Sequence, residues 1–196
     1  MGRIVISENV SLDGVIEIAD GTDGGDDARF GGWFDWMRDE DRAAWAETEA
    51  EEAMGAEALL MGRRSYEYFI ARGWPTRDGA WADRLRSLPK HVVSSTLEDL
   101  GWANTTVLGG DPVHEISTLK QKVDGDIVVY ASGRLVHALI EHDLADELRL
   151  LVFPFVLGAG ERLFGGTSGK KPMRLVGTRL VGDGMPLLTY RTVREP

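Results

Sequence analysis

The chain has 196 residues, a formal net charge of −10 and no cysteine. That length suits one domain, and the missing thiols exclude disulfides, thiolate metal centres and a cysteine nucleophile. The negative balance argues against nonspecific nucleic-acid binding, which depends on neutralising phosphates, and no run approaches the roughly 18 apolar residues of a membrane span.

Residues 3–9 are rich in β-branched side chains and predict a strand, which Ser11-Leu12-Asp13-Gly14 breaks. Residues 19–33 are dense in Gly and Asp and predict a long loop. A helix is expected over 39–54, with acids in its first turn, where the helix dipole favours them. The apolar run 56–61 reads as a buried strand, 64–71 as helix, and 80–87 as a helix stopped by Pro89. The second half keeps this rhythm. Strands are expected at 91–94 and 105–108, a helix at 112–122 with Pro at its permissive first turn, a strand at 127–130 and a helix at 135–142. A long apolar strand over 147–157 contains Pro154, which predicts an edge or a bulge. Residues 173–181 and 187–193 form an antiparallel pair around Gly182-Asp183-Gly184. Strands separated by helices predict one domain over 1–196, with a mixed, mainly parallel sheet covered on both faces.

In such sheets ligands sit outside the carboxyl ends of the strands. Three ends carry suggestive turns. After Met61, Gly62 allows a sharp turn, and Arg63, Arg64 and Ser65 open a helix whose free N–H groups favour an anion. After the strand at 91–94, Ser94, Ser95 and Thr96 offer hydroxyls that suit either a phosphate or a helix cap. After Tyr130, Ala131, Ser132, Gly133 and Arg134 suit either a close cofactor approach or a plain βα turn. Together they describe an extended dinucleotide groove. The charge distribution agrees: residues 1–57 hold 16 acids and 4 bases, whereas 58–196 hold 16 acids and 18 bases.

These residues resemble a known superfamily. MGRRSYE, VSST and VYASGRLVHAL are similar to the cofactor-binding turns of dihydrofolate reductase. SLDG and DELRLLVFPFVLGAGERLF (residues 146–164) resemble the reductase domain of the bacterial bifunctional riboflavin-biosynthesis deaminase–reductase. The resemblance implies a three-layer α/β/α dihydrofolate reductase-like fold and NADPH as cofactor. It puts phosphates near Gly62, Arg63, Arg64 and Ser65, the adenosine end near Ser94, Ser95 and Thr96, and the pyrophosphate near Ala131, Ser132, Gly133 and Arg134. It implies a homodimer that uses the apolar strand over 148–156. The composition itself, with no signal-peptide pattern, no membrane span and a negative charge, leads to the expectation of a cytoplasmic protein without nucleic-acid or membrane partners. There are two departures. No acid equivalent to that of dihydrofolate reductase can be placed between Asp20 and Asp41, and Ala131-Ser132-Gly133 stands where the riboflavin enzyme carries Glu-Gly-Gly.

Hydride transfer often needs a proton donor. Asp13, after the first strand, is the preferred group, although a turn aspartate in Leu-Asp-Gly is common. Trp33 and Phe34, with Trp36 and Met37, could wall a pocket for a flat ring or simply fill the core. No metal site is expected, since His137 and His142 fall on different helix faces. GGTSGKKP (residues 165–172) lacks the spacing of a phosphate loop. The expected function is NADPH-dependent reduction of a pteridine- or pyrimidine-like small molecule. The alternative is a non-catalytic dimeric NADPH-binding protein of the same fold.

Overall fold

The computed structural model describes residues 1–17 and 37–194. Its strands are β1 (Arg3–Ser11), β2 (Val15–Glu17), β3 (Ala56–Gly62), β4 (Lys90–Val93), β5 (Thr105–Leu108), β6 (Asp126–Tyr130), β7 (Glu147–Phe153), β8 (Glu161–Arg162), β9 (Met173–Val181) and β10 (Met185–Thr192). Its helices are α1 (Asp39–Gly55), α2 (Arg63–Ala71), α3 (Ala80–Ser87), α4 (Pro112–Lys122) and α5 (Gly133–Glu141). Eight strands form one sheet in the order β5-β4-β3-β6-β1-β7-β10-β9. The strands from β5 to β7 pair in parallel, and β10 runs antiparallel to both β7 and β9.

Side chains alternate across a strand, so each buried strand feeds two cores. Ile4 and Ile6 of β1 pack with Ile116 of α4 and Val136 and Leu139 of α5. Val5 packs on the opposite face with Tyr66 and Phe69 of α2 and Leu85 of α3. The result is the expected three-layer α/β/α arrangement around a mixed, mainly parallel sheet. The turn between β9 and β10 requires glycine. Gly182 has φ +58°, and a Cβ there would lie 2.2 Å from Asp41 Oδ1, which accepts the Asp183 amide at 2.7 Å.

Two expectations need correction. The strand expected to run to Leu157 ends at Phe153, so Pro154 lies beyond the ladder rather than at an edge or bulge within it. Moreover β7 is interior, paired with β1 on one side and β10 on the other. Leu148, Leu150 and Leu151 are buried within the chain, so β7 does not offer the apolar subunit surface expected of 148–156, of which Pro154 and Val156 are exposed. The sheet edge is β9 instead, with Leu175, Val176 and Leu180 exposed. Sequence reading also missed the two-stranded sheet of β2 and β8, whose segments are too short to carry a period.

The amino ends of the strands are held by Asp146. Its Oδ2 accepts the Ile4 amide at 2.8 Å and an ion pair from the buried Lys120 of α4, while Oδ1 accepts Arg194 at 2.6 Å. Removing one partner of a buried pair strands the other charge. Asp146→Ala is therefore expected to lower unfolding stability by about 3–5 kcal/mol, read as a lower urea midpoint at unchanged slope.

Candidate active site

The carboxyl ends of β3, β6 and β1 lie side by side. Gly62 ends β3 and Tyr130 ends β6, and each strand turns at once into a helix, α2 or α5. A hydrogen bond joins the two turns: the Gly62 amide donates to Ser132 Oγ at 3.0 Å. Ser132 Oγ in turn donates to the Tyr130 carbonyl at 3.1 Å. Ala131 and Ser132 both adopt left-handed backbone, with φ of 51° and 69°, a conformation that is costly for side-chain-bearing residues. Gly133 cannot be enlarged without displacement, because a Cβ there would lie 2.9 Å from Glu161 Oε1 and 3.1 Å from Ile16 Cδ1.

The N-termini of α2 and α5 open onto one cavity of about 1060 Å³. Gly62, Arg63, Arg64 and Ser65 line it from one turn, and Ala131, Ser132, Gly133 and Arg134 from the other. Two helix N-termini and their unpaired N–H groups suit an anionic ligand such as a diphosphate. The groove expected from these two turns is thus assembled. Arg63 also pairs with Glu67 at 3.1 Å.

The third turn contributes less. Val93 reaches the cavity lining, but Ser94, Ser95 and Thr96 do not. Ser94 Oγ accepts the amides of Thr96 and Leu97 at 3.1 and 3.0 Å, so it closes its own turn. Ser95 and Thr96 are exposed on the same rim of the sheet, one strand farther out.

The opposite wall comes from α1 and from the chain after α2. Trp45 and Glu49 face the cavity from α1, and Phe69, Trp74 and Trp81 face it from the other side. Phe69 and Trp74 stack at 4.0 Å, and Trp81 meets Trp74 edge-on at 4.9 Å. Arg72 and Arg77 also line this end, with Arg77 lying 5.5 Å over the Trp74 ring. Glu49 is the group here whose proton affinity is raised. Burial, and then the neighbouring charge of Glu52, push its carboxyl up to about 8. It therefore holds a proton at neutral pH. Burial first, then Glu52 and Glu49, raises Tyr130 as well.

Sequence reading missed Glu49, Glu161 and this aromatic wall. The one available signal was helical spacing, which puts Trp45, Glu49 and Glu52 on one stripe of α1. Trp33, Phe34 and Trp36 lie outside the described residues. Met37 is buried among Leu151, Phe153 and Met185, in a core cluster rather than the cavity. Among the described residues, no cluster of three or more His, Asp or Glu side chains could hold a metal ion, and no helix is long and apolar enough to cross a membrane.

A model of the RibD C-terminal domain matches residues 3–187. The chain belongs to that family. The uncharacterized protein YyaP of Bacillus subtilis (strain 168) is 25% identical over 193 residues, covering 96% of this chain and 94% of its own. A crystal structure from Shewanella sp. PV-4, named for riboflavin biosynthesis, superposes with a TM-score of 0.71 at 21% identity, covering 98% of this chain and 99% of its own. Dihydrofolate reductase from Enterococcus faecalis, complexed with NADP(H) and RAB-propyl, gives 0.61 at 16% identity, covering 97% and 96%. The fold is dihydrofolate reductase-like.

In this RibD C-terminal-type chain Asp13 stands apart from the cavity lining. Its carboxylate accepts the Ser11 hydroxyl at 2.7 Å and the amides of Leu157 and Gly158 at 3.1 and 2.9 Å. The Ser11 hydroxyl, then the Leu157 amide, hold it down at about 2. Asp13 is thus ionised at neutral pH, with no proton to give, and it serves as a clamp between the first strand and the segment after β7. A depressed carboxylate contributes stability above its unfolded value and loses it as pH falls through the folded value. The Asp13 contribution is thus complete above the ordinary value of 3.8 and lost as pH falls toward 2. Asp13→Asn is expected to flatten this part of the acid limb of Tm against pH. An unaltered limb would rule out the clamp.

Proposed function

We propose that this protein is an NADPH-dependent reductase that passes hydride to a heterocyclic, pteridine- or pyrimidine-like substrate, in the manner of 5-amino-6-(5-phosphoribosylamino)uracil reductase. One observation carries the reading. One cavity joins two helix N-termini, suited to a dinucleotide diphosphate, to a wall that carries Glu49 and stacked aromatic rings. Membership of the RibD C-terminal family supports it.

When bound, NADPH supplies the hydride. The amides at the starts of α2 and α5 bind its phosphates, and Arg64 or Arg63 accounts for preference over NADH. Ser95 and Thr96, on the adjacent rim, contact the adenosine end. Trp45, Phe69 and Trp74 hold a flat ring and exclude water, which keeps the reacting atoms oriented. Glu49, placed on α1, donates the proton that balances the hydride. The alternative, a non-catalytic NADPH-binding protein, gains support only if this acid proves idle. A second copy of the chain is the partner we assign to the exposed β9 edge.

Arg64→Ala is expected to raise Kd for NADPH about tenfold more than for NADH. Equal losses would remove the phosphate role. Ring substrates screened by NADPH oxidation at 340 nm should yield turnover that Glu49→Gln lowers about 100-fold or more. Since the protonated form is needed, the wild-type rate should be flat below pH 8 and fall as pH rises through about 8. Leu180→Lys should shift the mass measured by light scattering from dimer to monomer. A dimer that persists would move the interface away from β9.

A further inference from the structure

Below the cavity floor lies a cluster of charges that the proposed chemistry does not touch directly. Arg149 of β7 contacts three carboxylates: Glu52 Oε1 at 3.0 Å, Asp126 Oδ2 at 3.0 Å and, through Nε, Glu147 Oε1 at 2.9 Å. Arg3 also holds Asp126 at 2.6 Å, and Arg191 holds Glu147 at 3.2 Å. Three arginines thus balance three carboxylates. Glu52 is nearly covered, with its side chain 9% exposed.

Glu49 is the fourth carboxylate and stands outside this balance. It lies one helical turn from Glu52 on the same stripe of α1, where like charges repel. No hydrogen bond or ion pair of Glu49 is formed among the described residues. Arg84 of α3 donates to the carbonyls of Ala53 and Ala56. Arg179 of β9 is held by Glu51 and Thr48. Glu8 of β1 and Tyr130 of β6 line the same cavity, and an ionised Glu8 would add negative charge. Across the sheet, Tyr130 is paired in register with Ser7, and Ser7 with Arg149. The three therefore share one face, with the small Ser7 side chain separating cavity from cation.

We propose that Glu52, held by Arg149 at 3.0 Å one helical turn from Glu49, is a positioning residue that disfavours a second negative charge at Glu49. Arg149 binds Glu52, whereas Glu49 has no hydrogen bond or ion pair among the described residues. Glu52 in turn disfavours a second negative charge on that stripe, and covered carboxylates at such separation do not both ionise readily. The inference rests on the reading of Glu49 as the proton donor, but its test does not need turnover.

The infrared band of a protonated carboxyl, followed against pH in the purified full-length protein, reports Glu49 directly. Glu49→Gln identifies the band by removing it. Glu52→Gln keeps an acceptor for Arg149 while removing the charge, and it is expected to lower the Glu49 midpoint by about one pH unit, a tenfold loss of proton affinity. Arg149→Lys, which retains the charge, should leave the midpoint within about half a unit of wild type, whereas Arg149→Met should shift it by more. The proposal is overturned if Glu52→Gln leaves the midpoint where it was, or if the wild-type band titrates in the ordinary carboxylate range. A Glu49→Gln protein that still reduces substrate at the full rate would remove the donor assignment, yet leave the measured coupling between Glu49 and Glu52 intact. The two failures are therefore separable.

Discussion

The bond from the Gly62 amide to the Ser132 hydroxyl ties together two turns that are 70 residues apart, and the rest of the site depends on that union. The parallel pairing of β3 with β6 brings both turns to the same end of the sheet. It does not by itself fix their spacing. With the bond in place, α2 and α5 start from a shared point, and their amides face one volume. The left-handed backbone at Ala131 and Ser132 costs roughly 1–3 kcal/mol per residue. A buried hydroxyl that both donates and accepts returns part of that cost, since each such bond contributes about 1 kcal/mol net. Glycine-rich turns reach this backbone without strain. Here a serine reaches it and uses its side chain to hold the neighbouring turn.

Electrostatics divides the cavity into two ends. Toward the helix N-termini the potential is positive, from partial charges on free amides and from Arg63, Arg64 and Arg134. Toward α1 it is negative, and Glu49, which forms no ion pair among the described residues, takes up a proton instead. An anionic cofactor and a proton donor therefore have separate environments within a few strands of each other. The same division explains the uneven charge along the sequence. The excess acid of residues 1–57 includes α1, which supplies the proton side, whereas the phosphate side is built from later, more basic segments.

Much of this was legible in the sequence, for a physical reason. A buried strand followed by glycine or a small polar residue and then a helix leaves a local trace, and Gly62 and Ala131-Ser132-Gly133 both left one. The order of strands left none. Nothing local tells β7 that β10 will lie beside it, so a long apolar segment that looked like a subunit surface is interior instead. Glu49 was hidden differently. Helix α1 carries Glu47, Glu49, Glu51 and Glu52 within two turns, and read alone they look like a solvated face. Only the tertiary structure distinguishes them: Arg149 of β7 takes Glu52, and Glu49 lines the cavity with Tyr130 and Ser7.

Asp13 and Glu49 show why residue type cannot assign an acid. Both are carboxylates near the rim of the same sheet. Asp13 accepts the Ser11 hydroxyl and then the amides of Leu157 and Gly158, more than 140 residues away, and these donors stabilise its charged form. Glu49 meets no donor among the described residues, loses water and faces a neighbour of like charge, so its neutral form prevails. The two are driven in opposite directions by what the fold brings against them. A group held near 2 can anchor a loop but cannot give a proton at neutral pH, and a group near 8 can give one but adds little as an ionic anchor. The division between a charged clamp and a neutral carboxyl is therefore set by the contacts each group meets in the fold, not by residue type.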